Sequence, residues 1–139
     1  SVAILTGLDA LAHALESAVS TKRNAISSIH SESAFRQLAR AIGNVMAGRA
    51  GADDRAHMQL GAALAGLAIE NSMLGAAHAT ANPLTARHNV THGHAVALML
   101  PHVMRFNAEM PAASAIYGRY SDILRESGVT SLPLTSTRA

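Results

Sequence analysis

Thr6-Gly7-Leu8-Asp9-Ala10-Leu11-Ala12-His13-Ala14-Leu15-Glu16-Ser17-Ala18-Val19 sets apolar side chains at helical intervals. Leu8, Leu11, Ala12, Leu15 and Val19 fall on one stripe, so the segment reads as an amphipathic helix. Thr6 is the expected N-cap, and the helix is expected to fade near residues 20–24. A second helix is expected from Ile26 or Ser31 to Met46, with Phe35, Leu38, Ala39, Ile42 and Val45 as its stripe and Gly48 and Gly51 as the break.

A third helix is expected from residues 52–54 to about Ala76. Asp53 and Asp54 suit its positive end. Residues 60–69 are apolar all round and rich in Gly and Ala, the pattern of a central helix whose neighbours approach closely. Asn82, Pro83, Thr85, Asn89 and Thr91 then read as an irregular loop. A fourth helix should run from Gly93 to Phe106 or Asn107, kinked or split at Pro101. A fifth should run from Pro111 to Ser127, with Gly128 just beyond its end. No period-2 run of useful length appears. The expected class is all-α, an irregular bundle of about five helices, with residues 1–129 as one domain and 130–139 as tail or linker.

Composition narrows the function. The chain has 139 residues, 49% hydrophobic and 14% charged, enough for one modest core and too apolar for disorder. The longest apolar run, residues 95–100, is far short of a bilayer crossing, so no membrane partner is expected. The net charge is +2, basic residues are scattered, and only two Phe and two Tyr could stack on bases, so no nucleic acid is expected. Cysteine is absent, which excludes thiolate metal sites and fits a reducing compartment, the cytoplasm. No Gly-rich phosphate loop or nucleophile elbow is present.

What remains is a set of histidines. Asp9 and His13 lie four apart, on one helical face one turn from each other. His78 and His92 bracket the stretch expected to be irregular, and a loop can fold back so that its two ends converge. One carboxylate and three imidazoles make a credible shell for Fe²⁺, Zn²⁺ or Mn²⁺. Blander readings stand beside it. Thr6-x-x-Asp9 is also a capping-box pattern. His88 and His94 belong to what could be a His-rich surface loop, and His30, His57 and His102 read as ordinary helix-face residues. Glu16, one turn beyond His13, could support a ligand, but as a helix-face charge it is expected in solvent.

The segment Thr6-Gly7-Leu8-Asp9-Ala10-Leu11-Ala12-His13-Ala14-Leu15-Glu16 resembles a hallmark of the iron-containing (group III) alcohol dehydrogenases. So do Gly75-Ala76-Ala77-His78-Ala79-Thr80-Ala81-Asn82-Pro83-Leu84, Thr91-His92-Gly93 and Leu100-Pro101-His102-Val103. The resemblance runs from about Leu5 to Asn107. It implies the helical, metal-binding domain of an enzyme that interconverts an alcohol with an aldehyde or ketone. By motif position the metal ligands fall on Asp9, His13, His78 and His92. It implies Fe²⁺ first and Zn²⁺ as the alternative, acting as Lewis acid, with NAD or NADP bound through a domain absent from this chain. Many family members carry a further His where this chain has Asn82. Asn82 and His88 are then expected on the substrate side, with proton transfer through water, a hydroxyl or His88. Polyol dehydrogenases and dehydroquinate synthases share the plan but are less similar at Asn82-Pro83-Leu84 and Thr91-His92-Gly93.

The family's Gly-rich nucleotide-binding domain precedes the matching region and its helical domain continues beyond it. The chain is therefore expected to be a fragment or truncation, inactive by itself. The competing expectation is a stand-alone helical module that binds metal or a partner without redox chemistry, with self-association into a homo-oligomer left open. A plain structural bundle with incidental histidines is the third.

Overall fold

The computed structural model describes residues 1–129. The expected tail or linker at 130–139 lies outside the described residues. Within them the class is all-α, with six helices: α1 (Val2–Val19), α2 (Ala25–Met46), α3 (Ala52–Ser72), α4 (Ala76–His88), α5 (His92–Asn107) and α6 (Pro111–Glu126). The sixth is α4, which occupies the stretch expected to be irregular.

Helix α1 is the centre of the bundle and touches all five of the others. Its stripe is buried, with Leu8, Leu11, Ala12 and Leu15 at most 7% exposed. It begins five residues earlier than expected, after Ser1 as N-cap. Thr6 is therefore inside the helix, where its hydroxyl donates back to the Val2 and Ala3 carbonyls at 3.1 and 3.3 Å. This removes the capping-box reading of Asp9. Helix α1 is long and apolar enough by composition to span a bilayer, but 56% of that window is buried inside the bundle, as in a core helix.

Helix α2 starts at a capping box. Asn24 Oδ1 accepts from the backbone N–H groups of Ile26 and Ser27, both at 3.0 Å, and Ser27 Oγ accepts from Asn24 N–H at 2.9 Å. Helix α3 is not central, contrary to expectation. It buries only the small stripe Gly61, Ala65, Ala68 and Ser72, while Leu60 and Leu67 stay about half exposed. The close approach expected of its small residues is real: a Cβ on Gly61 would lie 2.6 Å from Leu38 Cγ. Tyr120 pins α6 to α2, with its ring 4.8 Å from that of Phe35 and its hydroxyl 2.6 Å from Ser31 Oγ.

A tight turn joins α3 to α4, whose axes differ by 105°. Met73 takes φ 65° and ψ 170°, a conformation non-glycine residues avoid. Polar contacts hold the turn against the end of α1 and the start of α2. Ser17 Oγ and Ser72 Oγ are 2.6 Å apart and buried, Ser20 Oγ donates to the Ser72 carbonyl at 2.7 Å, and Asn24 Nδ2 donates to the Asn71 carbonyl at 2.8 Å.

Pro83 does not break α4, for two physical reasons. Alanine at 76, 77, 79, 81 and 86 favours the helix. The carbonyl that loses its partner to the ring belongs to Ala79, on the exposed side, where solvent has access to it. The helix ends at Asn89, in the left-handed conformation at φ 52°, and Val90 N–H reaches the Leu84 carbonyl at 3.4 Å. Pro101 likewise lies inside α5, which continues as one helix rather than splitting.

Candidate metal centre

Helix α1 carries a second stripe opposite in character to the first. Asp9, His13, Glu16, Ser17 and Ser20 follow one another at i, i+4, i+7, i+8 and i+11, and they meet α4, α5 and the α3–α4 turn. Asp9 and His13 stand at one end of it. His78 comes from the first turn of α4, not from the end of α3 as expected. His92 is the first residue of α5. Gly93 lets α5 cross α1 at this point, since a Cβ there would sit 2.5 Å from the Leu5 carbonyl oxygen.

Asp9, His78 and His92 come together as one group of donors, and His13 stands beside Asp9. Asp9 Oδ1 is 3.1 Å from His78 Nε2 and 3.6 Å from His92 Nε2, and Asp9 Oδ2 is 3.7 Å from His13 Nε2. Ring centroids lie 4.8 Å apart for His13 and His78 and 5.4 Å apart for His78 and His92. Donor atoms of Asp9, His78 and His92 all fall within 4.8 Å of one another. Four donors held tetrahedrally at roughly 2.0–2.2 Å from zinc stand about 3.3–3.6 Å apart. The spacing and the N/O chemistry both fit a divalent cation. The cluster opens to solvent on one side: the side chain of His92 is 43% exposed, those of Asp9 and His13 are 21% and 22%, and that of His78 is 5%.

Glu16 is buried, not solvated, at 3% exposure. Its Oε2 lies 2.5 Å from His78 Nδ1, and its Oε1 accepts the Ala77 backbone N–H at 2.6 Å. The signal available in the sequence was its place on the same helical face as Asp9 and His13.

These contacts set the charge states. Burial opposes ionisation of Asp9, but the hydrogen bond from His78 and the fields of the three histidines hold its carboxyl below the usual range. Burial likewise opposes a charge on His78, yet its hydrogen bonds to Asp9 and Glu16 lift its pKa to about 9. Burial pushes His13 down from the ordinary histidine value. The two carboxylates thus favour the protonated ring of His78, and a cation held at Nε2 would take the place of the proton there.

Asn82 lies one turn beyond His78 on α4 and is exposed, and His88 is the exposed last residue of that helix. Neither enters the contacts that join the cluster. His57 bonds Gln37 and His102 bonds Arg105, away from it.

Comparison with known proteins gives the arrangement a context. The model of the "Fe-containing alcohol dehydrogenase family, C-terminal" matches residues 3–137. Lactaldehyde reductase of Escherichia coli is 38% identical over 124 residues, covering 89% of this chain and 31% of its own length. The 1,3-propanediol dehydrogenase of Klebsiella pneumoniae is 37% identical over 102 residues, covering 73% of this chain and 26% of its own length. The chain thus spans about a third or less of the curated relatives it matches. Among solved structures, an iron-containing alcohol dehydrogenase from Thermococcus thioreducens superposes with a TM-score of 0.79 at 29% identity, covering 88% of this chain and 32% of its own. One from Thermotoga maritima gives 0.76 at 27% identity, covering 93% and 37%. By sequence over nearly its whole length, and with a matching fold, the chain belongs to the Fe-containing alcohol dehydrogenase family, to whose C-terminal part it corresponds.

Proposed function

We propose that the chain is the metal-holding, catalytic part of an NAD(P)-dependent alcohol dehydrogenase. In this reading Asp9, His13, His78 and His92 together hold one divalent cation, Fe²⁺ with Zn²⁺ as the alternative. The observation that carries it is the approach of the Asp9 carboxylate and the imidazoles of His78 and His92, from α1, α4 and α5, to within 4.8 Å of one another, with His13 Nε2 3.7 Å from the second Asp9 oxygen. Bound there, the cation would supply Lewis acidity toward an alcohol or carbonyl oxygen.

The residues do the rest. Asp9 is the only anion among the four donors, so the set offsets half of a divalent charge and leaves the site favourable to an oxygen that gains negative charge. The exposure of His92 leaves one side open to a small molecule. Relatives named for lactaldehyde and 1,3-propanediol point to small polar alcohols and aldehydes as the substrate class. Asn82 and His88 lie on the substrate side. Asn82 offers hydrogen bonds but no proton near neutrality, so proton transfer falls to water, a hydroxyl or His88. The hydride carrier, NAD or NADP, is held by sequence outside this chain, and the cytoplasm is the site of action.

Metal content of the purified chain tests this reading, with Asp9→Ala and His92→Ala alongside. Stoichiometric iron or zinc in the unmutated chain and its loss in both variants are expected. Unchanged metal in both variants rejects the site. The isolated chain is also expected to show no NAD(P)-linked turnover of simple alcohols, and robust activity from pure material would contradict that.

A further inference from the structure

Glu16 is buried on α1, makes two short contacts, and both run to consecutive residues at the start of α4. One carboxylate oxygen takes the Ala77 N–H, among the groups a helix leaves unpaired at its beginning. The other takes the Nδ1 proton of His78 in the next residue. The carboxylate is pressed against Gly75, where a Cβ would lie 2.8 Å from Oε1 and 3.2 Å from Cδ. Glycine at the N-cap therefore makes room for an acid arriving from another helix.

We propose that Glu16 is a positioning residue that fixes the tautomer of His78, keeping the proton on Nδ1 so that Nε2 faces Asp9 as the donor to a cation. The same side chain anchors the first turn of α4, so the ring's protonation and the helix's position are set by one group. The inference rests on the metal reading above. A histidine whose second nitrogen is free can turn over or present the wrong nitrogen. Here both movements require breaking a buried contact to a carboxylate.

Glutamine is the informative replacement. Ala77 N–H and His78 Nδ1–H face different carboxylate oxygens, and the amide places an oxygen at only one of these positions and an NH2 at the other. Gly75→Ala perturbs Glu16 from outside without altering any donor. The experiment is zinc titration by calorimetry on the full chain and its Glu16→Gln and Gly75→Ala variants, with proton–nitrogen NMR of the His78 ring with and without zinc. Zinc affinity should fall about 10–100-fold in Glu16→Gln, the usual range for losing a ligand's outer partner, and by less in Gly75→Ala. The hydrogen-bonded Nδ1 proton of His78 should be seen in the unmutated chain and lost or broadened in Glu16→Gln. Unchanged affinity and an unchanged His78 spectrum in Glu16→Gln would overturn the proposal while leaving the metal site standing. If the unmutated chain takes up neither zinc nor ferrous iron, the metal reading falls, and the metal-free Nδ1 proton still decides whether Glu16 holds it.

Discussion

The seam between α2 and α3 and the wedge between α1, α4 and α5, which opens to solvent at His92, are built by opposite means. Across the seam, Leu38 is fully buried against Gly61, and glycine and alanine let α3 come close. In the wedge, Asp9, Glu16 and His78 meet through charged contacts of 2.5–3.1 Å. The seam gains free energy by removing apolar surface from water. Charges in the wedge lose hydration and recover it only through one another. The seam should therefore govern whether the chain folds, and the wedge what it binds.

Leu38→Ala is the strongest challenge to the seam. It should lower stability by about 2–5 kcal/mol in urea unfolding while the folded fraction keeps its zinc affinity. A zinc loss as large as that of Asp9→Ala would erase the distinction. A matched pair of glycines sharpens it. In Gly61→Ala the new methyl meets the side chain of Leu38, and in Gly93→Ala it meets the backbone of Leu5. Each should cost about 1–3 kcal/mol by overpacking, but only Gly93→Ala, which displaces the end of α5 bearing His92, should weaken zinc binding.

Ser17→Ala removes a contact at the wedge's far end. Ser72 Oγ keeps its 3.0 Å bond to the Ala68 carbonyl, so the loss should stay near about 0.5–1.5 kcal/mol. A larger loss would mean the α3–α4 turn, with Met73 in its unfavourable conformation, depends on that contact. Leu67→Gln, on the exposed side of α3, should change stability by no more than about 0.5 kcal/mol and zinc affinity not at all. A larger drop would show that this face is covered in solution.

The same contrast explains what could be read in advance. The stripes of α1 and α2 and the Pro111 start of α6 were legible because apolar spacing and end signals are local. Asp9 and His13 were legible as a pair because their spacing lies within one helix. Helix α4 was not, because Pro83 and its Asn and Thr neighbours resemble loop chemistry, and only the tertiary position of Ala79 shows why the helix tolerates them. The burial of Glu16 was hidden for a related reason. Periodicity says which residues share a face, but not what that face meets. Residues 60–69 misled in the other direction: Gly and Ala signalled close approach, but one neighbouring side suffices for that.

Anomalous diffraction from a zinc-loaded crystal decides whether side chains from α1, α4 and α5 share one cation. One strong peak is expected, enclosed by Asp9, His13, His78 and His92, at roughly 2.0–2.2 Å from each donor. A peak on His88, His94 or His102 instead, with the Asp9 cluster ordered and bare, would contradict it.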